Sequence, residues 1–150
     1  MRKDLLLLSV GMILALGACD NDRKSSVGFS LPDGDVAMGQ QKFVSLRCTD
    51  CHSVVGMDNL REEGMEPIMT VPLGGKTTRI ATYGQLVTSI INPSHKLSQK
   101  NLSFPVQDQG KSKMRNYNEV MTVADVIDLV AFLQAQYQLD TYPRTYYTPF

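Results

Sequence analysis

Three side chains within five residues can act together on a single bound group. Thr49 and Asp50 separate Cys48 from Cys51, and His52 follows directly, so the run Arg47-Cys48-Thr49-Asp50-Cys51-His52 contains CxxCH. Two thiols at that spacing can reach the two vinyl groups on one edge of a porphyrin and form thioethers. The next residue then comes under the ring with its imidazole aimed at iron. Neutral imidazole is a good ligand for haem iron, and covalent attachment keeps it there in either redox state. The pattern predicts one covalent haem c, with thioethers at Cys48 and Cys51 and His52 as an axial ligand. Other chemistries compete for the same spacing. A structural zinc site needs four ligands, usually with a second cysteine pair, and the chain has three cysteines and two histidines in all. A thioredoxin-like CxxC wants a βαβ setting, and no such pattern surrounds these residues.

The third cysteine belongs to a different device. The chain opens MRKDLLLLSVGMILALGACD: Arg2 and Lys3, then an apolar stretch, then Gly17 and Ala18 before Cys19. This is the three-part pattern of a secretory signal. Its apolar part is about 14 residues, whereas a spanning helix needs ~20, so a permanent transmembrane helix is the weaker reading. Leu16-Gly17-Ala18-Cys19 resembles a bacterial lipobox. That resemblance implies a signal peptide over residues 1–18 and acylation of Cys19, which becomes the new N-terminus. More than one acyl chain, at ~0.8 kcal/mol per buried CH₂, gives stable anchoring where a single chain is marginal. The alternative is that Cys19 merely ends an ordinary signal peptide. Asp20 resembles the inner-membrane retention signal of some enteric lipoproteins. The expected location is a bacterial cell membrane, lipid-anchored and facing the periplasm or the cell exterior, where c-type haem attachment occurs.

With 150 residues the chain has room for one domain. Charged residues make up 20% and the formal net charge is zero. Neither a disordered chain nor a nucleic-acid binder fits that balance. Without Arg2, Lys3 and Asp4, the fifteen basic and fifteen acidic side chains become thirteen and fourteen. Two haem propionates would add further negative charge. Five Phe, six Tyr and no Trp are a modest aromatic volume, which an organic cofactor in the core would supplement. Residues 19–34 are polar and rich in Ser, Gly and Asp, and read as a flexible tether between lipid and domain.

Helices and loops must hold these residues in place. A first helix is expected over residues 35–47, capped by Asp35, with Val36, Phe43, Val44 and Leu46 as apolar positions. Gly39 inside it costs about 1 kcal/mol of propensity relative to Ala. It reads either as a place where another helix crosses closely or as a tolerated glycine. Residues 53–79 hold no sustained period and are broken by Gly56, Gly64, Pro67, Pro72, Gly74 and Gly75. They are expected to form a loop along one haem edge, with a turn of helix near residues 59–63. Thr82 caps a second expected helix over 83–91, presenting Leu86, Val87, Ile90 and Ile91 and ended by Pro93. Residues 94–120 are again irregular. Thr122 and Asp125 form a cap for the last helix, expected to run to about Gln138. Its stripe is Val126, Leu129, Val130, Leu133 and Tyr137, widened by Ile127 and Phe132. The tail DTYPRTYYTPF has four aromatics in eleven residues; it either folds back over the domain or docks against a partner.

Residues 34–138 resemble the class I cytochrome c family. Gly39 and Phe43 match a glycine and an aromatic of its N-terminal helix, and Leu129-Val130-Ala131-Phe132-Leu133 matches its C-terminal helix. Val71-Pro72-Leu73-Gly74-Gly75 is similar to its GPxLxG-like element. The resemblance implies an all-α fold, the class I cytochrome c fold, with the N- and C-terminal helices crossing and long loops wrapping the haem. A mono-haem domain is then expected over 35–138, with residues 139–150 as the aromatic tail. It also implies that the Pro72 carbonyl accepts a hydrogen bond from the far nitrogen of His52, fixing the imidazole and raising its basicity.

The family usually completes the iron with a methionine thioether, which raises the reduction potential. Met57 follows His52 too closely to reach the opposite face. Met121 stands where the family has a leucine. Met114, 62 residues after His52 and eight before Thr122, matches the family's ligand position, although Arg115 follows it where proline is common. Met65, Met69 and His95 are the alternatives; His95 is otherwise a solvated histidine after a helix. Six-coordinate iron leaves no place for substrate, so the resemblance implies a one-electron carrier in a bacterial respiratory or periplasmic chain, not an enzyme. Its implied partners are a quinol-oxidising complex, a dehydrogenase or a terminal oxidase. Two other expectations stand beside it: a fixed haem-bearing subunit of a larger membrane oxidoreductase, and a haem sensor or peroxidase-like enzyme with open iron.

Overall fold

Each long helix begins at a residue whose side chain replaces the missing backbone acceptor. In the computed structural model, Asp35 accepts from Ala37 and Met38 at 2.8 and 3.0 Å and starts α1, Val36–Ser45. Thr82 and Gln85 close a reciprocal capping box at the start of α2, Tyr83–Ile91. Thr122 and Asp125 do the same for α3, Val123–Ala135. All three caps are those expected, because a polar side chain before an apolar period supplies acceptors that the local backbone lacks. The structure describes residues 29–61, 64, 66–67, 69–78, 82–97 and 104–139. The signal peptide, Cys19, most of the tether, Met65 and the tail from residue 140 lie outside them. The chain divides into units Met1–Leu31 and Pro32–Phe150, and all three of these helices belong to the second.

Helices α1 and α3 meet backbone to backbone. A Cβ built on Gly39 would lie 2.0 Å from the Asp128 carbonyl oxygen and 2.7 Å from the Phe132 Cβ. One built on Gly34 would lie 2.6 Å from the Ile127 carbonyl oxygen. Of the two readings of Gly39, close crossing is the one observed. The contact is so tight that the buried stripe of α1 narrows to Gly39 and Phe43. Val36 and Val44, expected on that stripe, are 45% and 38% exposed. Phe43 meets Phe132 with ring centroids 5.6 Å apart and planes inclined by 54°, a tilted pairing that suits two aromatic quadrupoles. Val54, Val87, Ile90, Leu129, Val130 and Leu133 complete the core.

The all-α class I cytochrome c expectation is overturned. Beside three α-helices the described residues carry six short strands in three two-stranded sheets. β1 (His52–Val54) pairs in parallel with β2 (Val71–Leu73), and β3 (Gly75–Thr77) pairs in parallel with β6 (Tyr137–Leu139). β4 (Gln107–Asp108) and β5 (Lys111–Ser112) form a hairpin. Its turn residues Gln109 and Gly110 both have positive φ, 46° and 75°, the combination a two-residue I′ turn requires. The expected helical turn near residues 59–63 is a 3₁₀ turn at Asp58–Leu60. The last helix stops at Ala135 instead of about Gln138. The Gly75 N–H donates to the Gln136 carbonyl at 2.9 Å, so the chain leaves the helix to run beside β3. Among the described residues, no helix is long and apolar enough to cross a membrane.

Two polar ties hold the helix crossing. Lys42 on α1 reaches Asp125 at 2.7 Å, and the Asp35 N–H donates to Asp128 Oδ1 at 2.8 Å. Hydrogen bonding from Lys42, then from Thr122, lowers the Asp125 carboxyl from its ordinary 3.8 to about 2. A carboxyl held lower in the folded chain stabilises it fully above the unfolded value and ceases to do so below the folded one. Acid unfolding should therefore steepen between about pH 4 and pH 2. Asp125→Asn should flatten that part of a stability-against-pH curve; an unchanged acid limb would count against the tie.

Candidate functional site

The CxxCH run folds as a tight turn. Arg47 enters it in the left-handed region, φ 58° and ψ 33°, and Cys48–Asp50 form a single 3₁₀ turn. Asp50 N–H bonds to the Arg47 carbonyl at 3.1 Å, and Cys51 N–H to the Cys48 carbonyl at 3.2 Å. Asp50 is only 6% exposed, and Arg47 Nε stands 3.2 Å from its carboxylate. A polar group buried this far needs such a partner to offset its lost hydration. The turn thus brings both thiols and the His52 backbone into one short, doubly tied segment.

His52 is oriented from β2. Val71 N–H donates to the Cys51 carbonyl at 2.8 Å, and His52 Nδ1 lies 3.2 Å from the Val71 carbonyl. A carbonyl can only accept, so Nδ1 carries the proton and Nε2 keeps a free lone pair. Burial holds the imidazole below its ordinary pKa, opposed by the Val71 hydrogen bond. The neutral ring is thereby kept as a potential ligand. The expected acceptor, Pro72, is corrected to Val71. In the parallel register His52 lies opposite Val71 and Ser53 opposite Pro72, so the carbonyl one residue earlier faces the imidazole, while Pro72 is exposed.

His52 and Met114 line the same space. One cavity is bounded by Cys51, His52, Met69, Val71 and Met114 among others. An adjoining one is bounded by Phe43, Cys48, His52, Leu73, Leu86, Met114, Met121, Leu129 and Tyr137 among others. A smaller one contains Cys48, Cys51, His52, Met114 and Tyr117. Met114 is placed from the α2 side. Its N–H donates to Ser112 Oγ at 3.2 Å, and Ser112 N–H donates to Ser94 Oγ at 3.0 Å. Farther along, Asn118 Nδ2 donates to the Ile91 carbonyl at 2.8 Å. These bonds moor both ends of the Met114 loop to the end of α2.

The other candidates separate. Met69 lines the first cavity and Met121 the second. His95 is exposed, with Nδ1 3.0 Å from the Asn92 carbonyl, and borders none of the three spaces. Met65 lies outside the described residues. Burial, foremost, pushes the Cys48 thiol up to about 11. A disulfide-exchange centre lowers a thiol pKa instead, so this environment is unlike one. Both Cys48 and Cys51 are free thiols. Among the described residues, no group of three or more His, Cys, Asp or Glu side chains is placed to hold a bare metal ion.

The donor set fits a haem: two free thiols, an imidazole with its outer nitrogen available and a thioether, all bordering apolar space. Lys96 and Lys113 bring cations to the first cavity, where anionic propionates would be matched. Two contributors had no role expected from the sequence, the Val71 carbonyl and Arg61. Arg61 donates from Nε and Nη2 to the Thr49 carbonyl at 3.0 and 2.9 Å. A backbone acceptor leaves no residue-type signal, and a lone arginine in an aperiodic segment has no spacing to interpret. Comparison with family models, with curated proteins and with solved structures found no match for the chain.

Proposed function

We propose that the chain is a mono-haem c-type electron-transfer protein, tethered to a bacterial membrane through lipid on Cys19. The observation that carries this reading is the meeting of four donors on three neighbouring spaces, the smallest of which is lined by all four. Cys48, Cys51 and His52 come from a single turn, and Met114 from a loop moored to another element. Bound there, haem would supply a one-electron couple at iron. Cys48 and Cys51 would hold it by thioethers. His52 would present Nε2 while Val71 holds Nδ1, and Met114 would present its sulfur. The protein's own work is to keep both ligands in place through the redox change and to exclude water with the side chains lining the cavity.

With His52 and Met114 both holding the iron, no site would remain for a substrate, and transfer between partner proteins would be the natural activity. Encounters of this kind are small, below ~1,200 Å², and short-lived. A tether substitutes local concentration for affinity. Quinol-oxidising complexes, periplasmic dehydrogenases and terminal oxidases are the proposed partner classes. The test is direct: purify the exported protein and measure its mass and its visible spectrum. One covalent haem per chain is expected. A colourless protein whose mass is polypeptide and lipid alone would refute the reading.

A further inference from the structure

Arg61 follows the 3₁₀ turn Asp58–Leu60 in extended conformation, φ −95° and ψ 142°. Its guanidinium lies back against the CxxCH segment. Nε and Nη2 both donate to the Thr49 carbonyl, at 3.0 and 2.9 Å, and Nη2 reaches the His52 carbonyl at 3.5 Å. The two carbonyls lie on either side of Cys51. Thr49 is only 7% exposed, so water is poorly placed to take over the Thr49 bonds. Arginine suits this task because its planar fork can engage two acceptors at once, whereas a lysine ammonium is a single flexible point charge.

We propose that Arg61 is a positioning residue. Its guanidinium clamps the Cys48–His52 turn in one conformation and holds a fixed positive charge beside the backbone of the iron ligand. The second half of this proposal rests on the haem reading above. The clamp limits how far His52 can move when the iron changes charge. The charge disfavours the oxidised, more positive iron and so raises the reduction potential.

Two variants separate the effects. Arg61→Ala removes fork and charge, and Arg61→Lys keeps the charge but not the fork. Hydrogen exchange should be measured at the Asp50 and Cys51 amides, whose bonds close the turn. Exchange there should quicken on the order of tenfold in both variants, while the α3 amides stay as in the wild type. The potential should fall in Arg61→Ala and stay near the wild-type value in Arg61→Lys. Wild-type exchange in Arg61→Lys would overturn the clamp, and an unchanged potential in Arg61→Ala would overturn the charge effect. If Arg61→Ala fails to mature, Arg61→Lys alone decides the clamp. A wild-type protein without covalent haem would refute the proposed function, while its exchange rates against Arg61→Lys would still test the clamp.

Discussion

In the haem-loaded protein proposed above, Met114→Ala should abolish the sulfur-to-iron charge-transfer band of the oxidised form and lower its reduction potential. The side chain borders all three cavities that His52 borders, and no other methionine among the described residues does so. Met69 touches only the first and Met121 only the second. Met69→Ala and Met121→Ala should therefore keep the band. Axial-ligand identity spans ~0.8 V across haem proteins, so loss of the thioether should shift the potential by on the order of 0.1 V or more. The freed position should also bind added imidazole far more tightly than in the wild type. Truncating a buried Met costs about 2–5 kcal/mol; Met114 is only partly buried, so the low end applies. The ligand effect should thus be readable in a folded protein. A band that persists in Met114→Ala and vanishes in Met69→Ala would transfer the role to Met69.

How the sequence discloses this protein depends on the range of the interaction involved. Asp35, Thr82 and Thr122 announce their helices because a cap acts on backbone groups two or three residues away. The bounds of α2 coincide with those expected, since Thr82 starts it and Pro93 limits its end. The spacing of Cys48, Cys51 and His52 is local in the same way, and the structure keeps all three within one 3₁₀ turn and the two residues after it. The six strands were not legible. Three residues are too few for an alternating pattern, and the strands form only because distant loop segments are brought side by side. The pairing of Tyr137 with Gly75 shortened α3 against its own helical period. It also turned Tyr137 from the end of a helix stripe into a strand residue that borders the second cavity. The choice of Val71 over Pro72 depends on a one-residue register between β1 and β2, which side-chain types at those positions do not encode. Arg61 belongs with these long-range features. Its acceptors are backbone carbonyls nine and twelve residues away, and any residue type there would offer the same oxygen.

Gly39→Ala should cause the largest loss of stability of any single-methyl addition here, and the sign is decided by two opposed effects. In an unhindered helix interior the change is favourable by about 1 kcal/mol. Here the new Cβ would lie 2.0 Å from the Asp128 oxygen, 2.6 Å from the Asp128 carbonyl carbon and 2.7 Å from the Phe132 Cβ. Two of those three atoms are backbone, so no rotamer change relieves the overlap. Helix α3 must move away from α1 as a body. That movement loosens the Phe43–Phe132 pairing, the Lys42–Asp125 ion pair and the bond from Asp35 N–H to Asp128. It also shifts Leu129 and Leu133, which border the second cavity. Overpacking typically costs 1–3 kcal/mol and occasionally more, and a clash against backbone belongs at the upper end, about 3 kcal/mol after the propensity gain. For a domain of this size that lowers the thermal midpoint by on the order of 10 °C. Gly84→Ala is the matched control. It also lies in a helix, but its nearest atom, Thr82 Oγ1, is 4.0 Å away, so the propensity gain should survive and the midpoint should hold or rise slightly. Equal midpoints for Gly39→Ala and the wild type would mean that α1 and α3 are not in backbone contact, and the wall that they give the cavity would have to be redrawn.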